Sequence, residues 1–383
     1  MTDSFDTRLI HAGTWPSDLE GAVVMPIFQT AMYRDPVSEG DGDAEPRYIR
    51  YSNTPSHSYL QGKLAELLGA EDAIVTGSGM AAISAALLST LEAGDRVLVQ
   101  RGVYGGTHTF VTRHLPRWGI EVVLVDATDP GTWAAELTET TRAIYVESIS
   151  NPTMRVAALD EVVAFAGQHG LVSVIDNTFA TPVNFRPMEH GFDLELHSAT
   201  KYLNGHSDLV AGVLAGRKPL VRGALETLRG LGGSLDPNGC FLLDRGLKTL
   251  ALRVRQQNDT ALALARALAV HPAIEAVHYP GLETHPDHER ATRLFEGYGG
   301  MLALEVAGGA DAAKAFQAAL RLPVIAPSLG GVESLVTRPV TTSHRTIPRE
   351  ERIQMGVTDN LVRVSVGIEG TDDLVEDFRQ ALR

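Results

Sequence analysis

The sequence predicts an α/β protein: a large, mostly parallel sheet with helices on both faces, followed by a smaller C-terminal α/β domain. Three observations lead there. Short apolar runs alternate with helix-period segments from residue 73 onward, the pattern of strands joined by crossover helices. A Gly-rich turn, Gly77-Ser78-Gly79-Met80, separates one such run from an Ala/Leu-rich helix. A Val/Ile run at 172–175 closes on Asp176, the signature of a buried parallel strand whose carboxyl end faces a ligand crevice.

In chain order, residues 1–60 have little periodicity and much Gly, Pro and Asp, and read as an arm that orders against a neighbouring subunit. Tyr48, Arg50 and Tyr51 give that arm an aromatic and basic patch. From His57 the spacing of Leu60, Leu64, Leu67 and Leu68 predicts a helix, and Ala73-Ile74-Val75 begins a strand. The glycines after it permit close backbone approach, and free amides at the start of helix 81–91 suit an anion. Strands are expected at 96–99, 121–125, 143–146, 172–175 and 194–197, with helices at 106–115, 132–137 and 159–169. A long helix at 247–270 precedes strands at 300–306, 334–336 and 361–366 and helices at 310–320 and 371–382. The expected domains are the arm at 1–60, a large domain at 61–245 and a C-terminal domain at 246–383.

The composition narrows the partners. With 33 basic against 47 acidic residues in 383, the formal charge of -14 disfavours nucleic acid or an anionic membrane, and small molecules fit better. The single cysteine, Cys240, excludes an intrachain disulfide and reads as a small buried apolar residue. The start has no basic segment followed by an apolar core, and no uncharged run reaches about 18 residues, so a cytoplasmic protein is expected. The segment His285-Pro286-Asp287-His288-Glu289 reads as a polar surface loop rather than a metal site.

Asp176 and Lys201, 25 residues apart, suggest a pyridoxal phosphate (PLP) site. A PLP enzyme needs a lysine amine to hold the aldehyde as a Schiff base and a carboxylate to keep the pyridine nitrogen protonated. Each residue has a plainer reading, a turn former and a solvated charge, and the setting decides between them. Ser198 and Thr200 flank Lys201 with hydroxyls suited to phosphate. Tyr104 follows a strand, where it either stacks on a ring or packs at a helix start. Asn151, in an Asn-Pro turn, offers a donor to the cofactor's phenolic oxygen. Arg363 interrupts the apolar strand 361–366 and needs a partner, either an internal acid or a substrate carboxylate.

Eight blocks in order then resemble the Cys/Met-metabolism family of PLP enzymes, the cystathionine γ-synthase, γ-lyase and β-lyase group. They include Asp6-Thr7-Arg8-Leu9-Ile10-His11-Ala12-Gly13, Pro26-Ile27-Phe28-Gln29-Thr30, Tyr104-Gly105-Gly106-Thr107, Asp176-Asn177-Thr178, Ser198-Ala199-Thr200-Lys201-Tyr202 and Ser328-Leu329-Gly330-Gly331-Val332-Glu333-Ser334. The resemblance covers nearly the whole chain. It implies a fold-type I PLP-dependent transferase with a seven-stranded-type sheet, active as a homotetramer of two dimers on a sulfur amino acid or an O-acylhomoserine. It implies that Lys201 carries the cofactor, Asp176 meets the pyridine nitrogen and Tyr104 stacks on the ring. Gly79, Met80, Ser198 and Thr200 would take the phosphate, with Thr178 and Asn151 beside the ring and Tyr48 and Arg50 reaching the neighbouring subunit's phosphate. Ser328 and Arg363 would hold the substrate α-carboxylate. Glu333, which starts a strand, either meets the distal ammonium of a substrate such as cystathionine or is a plain structural or solvated acid. Tyr104 and Lys201 are the acid/base candidates.

The chain also departs from the pattern. An acidic insert precedes Ser52-Asn53-Thr54-Pro55, which stands where Asn-Pro-Thr is usual, and Thr337-Arg338-Pro339 replaces a common basic variant. Gly106 stands where methionine γ-lyases carry cysteine, which argues against that activity. Leu329, in place of the tryptophan of enteric-type β-lyases, favours γ-elimination or γ-replacement. A β-lyase or an O-acylhomoserine sulfhydrylase is the alternative. A non-catalytic PLP-fold binding protein is the remote one, since Lys201 and Asp176 are both present.

Overall fold

The computed structural model describes residues 4–13, 19–34, 45–343, 345 and 348–383. Most of the acidic insert, residues 35–44, lies outside them. Among the described residues the strands form two sheets.

The first sheet contains β1 (Asp72–Thr76), β2 (Arg96–Gln100), β3 (Glu121–Val125), β4 (Thr141–Glu147), β5 (Val172–Asp176), β6 (Leu194–His197) and β7 (Gly212–Gly216), in the order β1-β7-β6-β5-β4-β2-β3. Strands β2 to β6 run parallel, and β7 lies antiparallel between β1 and β6. Period-two alternation sends successive residues to opposite cores: Ile144, Val146 and Ile175 to one face, Ala143, Tyr145 and Val174 to the other. Both faces are covered. The first receives the leucines of α2 (Pro55–Leu68) and Cys240 of helix Pro237–Leu247. The second receives Ala82, Ile83 and Ala86 of α3 (Gly79–Thr90) and Val221, Ala224 and Leu228 of helix Lys218–Leu231. Each fully buried leucine contributes about 1.5–3 kcal/mol, so these stripes fix the layering.

The second sheet, with β8 (Ile274–His278), β9 (Met301–Val306), β10 (Val324–Ile325), β11 (Leu335–Thr337) and β12 (Leu361–Ser365), has the order β10-β11-β12-β9-β8. Helices Leu250–Ala269, Gly309–Ala319 and Thr371–Ala381 pack on one face, burying Leu302, Leu304, Val362, Val364, Phe316 and Phe378. Because side chains alternate, Arg363 is turned to the opposite face of β12 from Val362 and Val364. Among the described residues no helix is long and apolar enough to cross a membrane.

Several local expectations are corrected. The segment expected as one helix at 106–115 is a short α-turn, Gly105–Thr109, running into a π-turn, Phe110–His114. Residues Pro130–Glu136 form a 3₁₀ helix, opened by Pro130 and the Asp129 side chain, which accepts from the Gly131 amide. The long helix expected at 247–270 spans Leu250–Ala269, and a separate helix before it, Pro237–Leu247, was not foreseen. The strand β7 and helix Lys218–Leu231 were not foreseen.

The expected surface loop at 285–289 is partly interior: Pro286 and Glu289 are exposed, but two polar residues turn inward. His285 and Asp287 are buried. The Asp287 carboxylate accepts from the Arg155 side chain at 2.6 Å and from the Val156 amide at 3.0 Å. A polar sequence is stable there because its charge is paired and hydrogen-bonded. The bond links the C-terminal part of the chain to the loop that carries Asn151.

Candidate active site

The carboxyl ends of β4, β5 and β6 open on a cavity of about 790 Å³, where open α/β sheets place ligands. Asp176 ends β5 and Glu147 ends β4, and the two are register partners on adjacent strands. Both are buried side by side. Burial raises the pKa of each, and the Asp176 charge raises Glu147 further. The Thr178 amide and hydroxyl both donate to Asp176 Oδ1, at 2.9 and 2.5 Å, which opposes the shift at Asp176. Thr178 Oγ1 in turn accepts from the Ser198 amide at 2.8 Å, tying the end of β5 to the segment after β6.

That segment carries Lys201 in a tight turn: its amide donates to Ser198 O at 3.1 Å, and the Gly205 amide donates to Lys201 O at 2.7 Å. Arg253, buried, donates to Tyr202 O and Gly246 O at 2.8 Å each and braces the turn from behind. Lys201 Nζ donates to Ser328 Oγ at 2.8 Å. Its pKa is lowered to about 8, by burial first and then by the charge of Arg363. At pH 7 a sizeable fraction of this amine is therefore neutral and nucleophilic, unlike an ordinary lysine.

The sign of the shift gives an expected pH dependence. The neutral fraction grows about tenfold per pH unit below the pKa and saturates above it. The rate at which cofactor-free protein takes up PLP should therefore rise to about pH 8 and level off. A rate still climbing tenfold per unit through about pH 10, as for a solvated lysine, would contradict this.

Arg363 is 5 % exposed. Its Nη1 donates to Asn151 Oδ1 at 3.1 Å and its Nη2 to Ser328 O at 2.9 Å. No carboxylate pairs with it among the described residues, its Nε is buried without a partner, and burial lowers its pKa to about 10. An unpaired buried guanidinium at the edge of a cavity is prepared for an incoming carboxylate. Ser328, which it touches, has φ of 115°, a strained conformation for a residue other than glycine. With its Oδ1 engaged, Asn151 keeps its amide NH₂ as a donor.

The opposite requirement, an anion cradle, is met at α3. Ser78 caps the helix, its hydroxyl accepting from the Ala81 amide at 3.1 Å, and the first amides of the helix lack intrahelical acceptors. A Cβ at Gly79 would lie 2.9 Å from Ser198 Cβ, so glycine is what lets the helix start close against the Ser198 backbone. Gly79, Met80, Ser198 and Thr200 all line the cavity. Tyr104 stands at its edge, half exposed, with its amide donating to Glu147 Oε1 at 2.6 Å. A Cβ at Gly106 would lie 2.5 Å from the Tyr104 ring and 3.0 Å from Met80 Sδ, so that ring occupies the space a side chain would need.

The structure thus gathers Gly79, Met80, Tyr104, Asn151, Asp176, Thr178, Ser198, Thr200, Lys201, Ser328 and Arg363 around one cavity. It does not bring Tyr48 and Arg50 there. They sit on a 3₁₀ turn, Ile49–Tyr51, where Arg50 covers the Tyr51 ring at 4.8 Å and donates to Arg229 O at 2.9 Å. Glu333 lies in an adjoining cavity of about 620 Å³ that shares Thr200 and Ser328 with the first. Sequence reasoning missed Glu147, although it closes an apolar run as Asp176 does. It also missed the buried set of Glu195, His197 and Asn177 beneath the site, where Glu195 Oε1 lies 2.7 Å from His197 Nε2 and accepts from Asn177 Nδ2 at 3.0 Å. The cavity-lining segment that contains Arg345 was missed as well.

A reactive lysine, a buried acid and an anion cradle at the strand ends of an open α/β sheet define a PLP-dependent enzyme, and the residues present fit that cofactor. The comparisons are specific. The profile described as Cys/Met metabolism PLP-dependent enzyme matches residues 6–383, and the chain belongs to that family. L-methionine gamma-lyase of Pseudomonas putida is 41% identical, over 99% of this chain and 97% of that one. Cystathionine gamma-lyase of Bacillus subtilis (strain 168) is 40% identical over 98% of each. A crystal structure of cystathionine gamma synthase from Xanthomonas oryzae pv. oryzae, in complex with aminoacrylate and cysteine, superposes with a TM-score of 0.95 at 35% identity, covering 100% of this chain and 98% of that one.

Proposed function

We propose that the protein catalyses γ-elimination or γ-replacement on cystathionine or an O-acylhomoserine. The observation that carries this reading is one cavity holding both a lysine amine with a pKa near 8 and an arginine without a carboxylate partner. Those are the two groups an α-amino acid reaction needs at once.

Lys201 would hold PLP, Asp176 would face its ring nitrogen, Tyr104 its ring, and the Gly79 and Met80 amides with Ser198 and Thr200 its phosphate. When bound, PLP supplies an electron sink for the charge that develops at Cα. Arg363, with Ser328, grips the substrate α-carboxylate and so fixes the direction of the Cα–H bond. Lys201 Nζ takes the α-proton and serves again at Cβ, while Tyr104 is the second acid/base group. Glu333, which lines the adjoining cavity, would meet a distal ammonium. Gly106, whose missing side chain leaves room for the Tyr104 ring, argues against methionine γ-lyase activity, and Leu329 favours a γ-reaction over enteric-type β-lyase chemistry.

Residues 1–60 are proposed as an arm serving a neighbouring subunit, ahead of a PLP-binding domain at 61–245 and a C-terminal domain at 246–383. Tyr48 and Arg50 lie away from their own cavity, which supports action across a dimer interface in a homotetramer. The test is product identity with L-cystathionine. 2-Oxobutyrate and cysteine are expected; pyruvate and homocysteine would assign β-elimination instead. Synthesis of cystathionine from an O-acylhomoserine and cysteine, with neither keto acid formed, would assign γ-replacement.

A further inference from the structure

Glu147, which the reaction scheme above leaves unused, lines the cavity beside Asp176. The two end neighbouring parallel strands as register partners, and both are buried. Two adjacent carboxyls out of water do not both ionise near neutral pH, so one keeps its proton. Their surroundings decide which one does. Asp176 Oδ1 accepts from the Thr178 amide at 2.9 Å and from the Thr178 hydroxyl at 2.5 Å, and His197 at the end of β6 also favours its ionised form. Among the described residues the Glu147 carboxyl accepts one hydrogen bond, from the Tyr104 amide at 2.6 Å. No lysine or arginine pairs with either acid there, although Lys201 and Arg363 line the same cavity. Tyr145, buried on β4 beside the pair, stays protonated, pushed up by burial first and then by the two carboxyl charges. Burial raises both acids, and the Asp176 charge raises Glu147 further with fewer donors to oppose it.

The bond to Tyr104 gives the protonated acid a task. Glu147 is itself fixed, since its amide donates to Gln100 Oε1 at 2.8 Å across from β2. Its carboxyl then holds the Tyr104 amide where the chain leaves β2 and enters the turn Gly105–Thr109. Tyr104 O accepts from the His108 amide at 2.8 Å, so the residue that carries the ring is anchored at both its backbone polar groups. We propose that Glu147 is a positioning residue: a neutral carboxylic acid that holds Tyr104 at the cavity edge and, by keeping the proton of the pair, leaves the single negative charge on Asp176. The proposal rests on the placing of Asp176 at the ring nitrogen given above. A second ionised carboxyl at this depth would compete with Asp176 for the positive charge of a protonated ring nitrogen, and a neutral one does not. With Oε1 accepting from Tyr104, the proton lies on Oε2.

The test uses the full chain with and without PLP, as wild type, E147Q and E147A. The glutamine keeps an acceptor for the Tyr104 amide and carries no titrating proton. In cofactor-free protein near neutral pH, the infrared difference between wild type and E147Q should show the C=O stretch of one protonated carboxyl. Melting follows the same sign. An acid whose pKa is raised on folding stabilises fully below its unfolded value, about 4.3, and that contribution is lost as pH rises through the folded value. Cofactor-free E147Q should therefore lose less stability than wild type between about pH 5 and pH 8. In the holoenzyme E147A should lower kcat by roughly ten- to hundredfold with little change in KM, because Tyr104 is loosened while Lys201 and Arg363 keep their contacts. E147Q should restore kcat to within about threefold of wild type. An ionised carboxylate in the infrared difference, or E147Q as impaired as E147A, would overturn the proposal. An unimpaired D176N would instead overturn the placing of Asp176, and with it the charge role of Glu147.

Discussion

Lys201→Ala protein is expected to fold, bind PLP weakly and lose turnover by about 10³-fold or more. It should also lose the absorption of the lysine-bound cofactor at about 420 nm. The reasons are local. Lys201 Nζ has one hydrogen bond, to Ser328 Oγ, and desolvation has already lowered its pKa to about 8. Truncation therefore removes a buried, charge-prone group without stranding a counterion, and the turn at 198–205 keeps its backbone bonds and the brace from Arg253. Thermal unfolding of the cofactor-free variant separates the loss of a chemical group from the loss of the fold. A melting temperature close to that of cofactor-free wild type, with no visible band, is the expected pair of results. An unchanged band would assign the cofactor to another amine.

Arg363→Met is expected to be nearly as damaging to activity while leaving stability unchanged or improved. Removing one partner of a buried, hydrogen-bonded charge pair costs about 2–5 kcal/mol in the complex, or roughly 30- to 5,000-fold in kcat/KM. In the free protein the sign reverses, because Arg363 has no carboxylate and its guanidinium is desolvated. An apolar side chain of similar length on the same apolar strand avoids that cost. Loss of Arg363 also removes the second cause of the depressed Lys201 pKa, so the pH at which PLP uptake saturates should move up. An unaltered kcat/KM for cystathionine, or a large drop in melting temperature, would show that Arg363 is a structural charge rather than a carboxylate grip. Ser328, at φ 115°, lines the same cavity in a strained conformation.

What was legible in the sequence followed from burial on both sides of a sheet. Strands β1 to β6 were readable because a parallel strand covered by two layers must be a continuous apolar run, and such runs stand out between Gly- and Pro-rich turns. Strand β7, Gly-Val-Leu-Ala-Gly, was not, since two of its five residues are glycine and its pairing with β1 and β6 is set by tertiary contact. The helix expected at 247–270 starts at Leu250, because Lys248 and Thr249 separate it from the helix Pro237–Leu247, and apolar periodicity runs straight through that junction. The segment at 285–289 was misread because polarity usually signals solvent, whereas Asp287 satisfies its charge against Arg155 from a distant loop. The same blindness to partners hid Glu147, Glu195 and Arg345. A charged residue in sequence carries no mark of what it will face. Asp176, Lys201 and Arg363, which line one cavity, could be singled out because each stood in a setting, a strand end, a hydroxyl-flanked turn or an apolar strand, that gave its charge a reason.

The account stands on a covalent hold between residue 201 and PLP in a cavity that also contains Asp176 and Arg363. The most direct measurement is borohydride reduction of the holoenzyme followed by proteolysis and peptide mass mapping. The pyridoxyl mass is expected on the peptide containing Ser198-Ala199-Thr200-Lys201, at Lys201 and at no other lysine. Recovery of that peptide unmodified from fully reduced, PLP-loaded protein would contradict it.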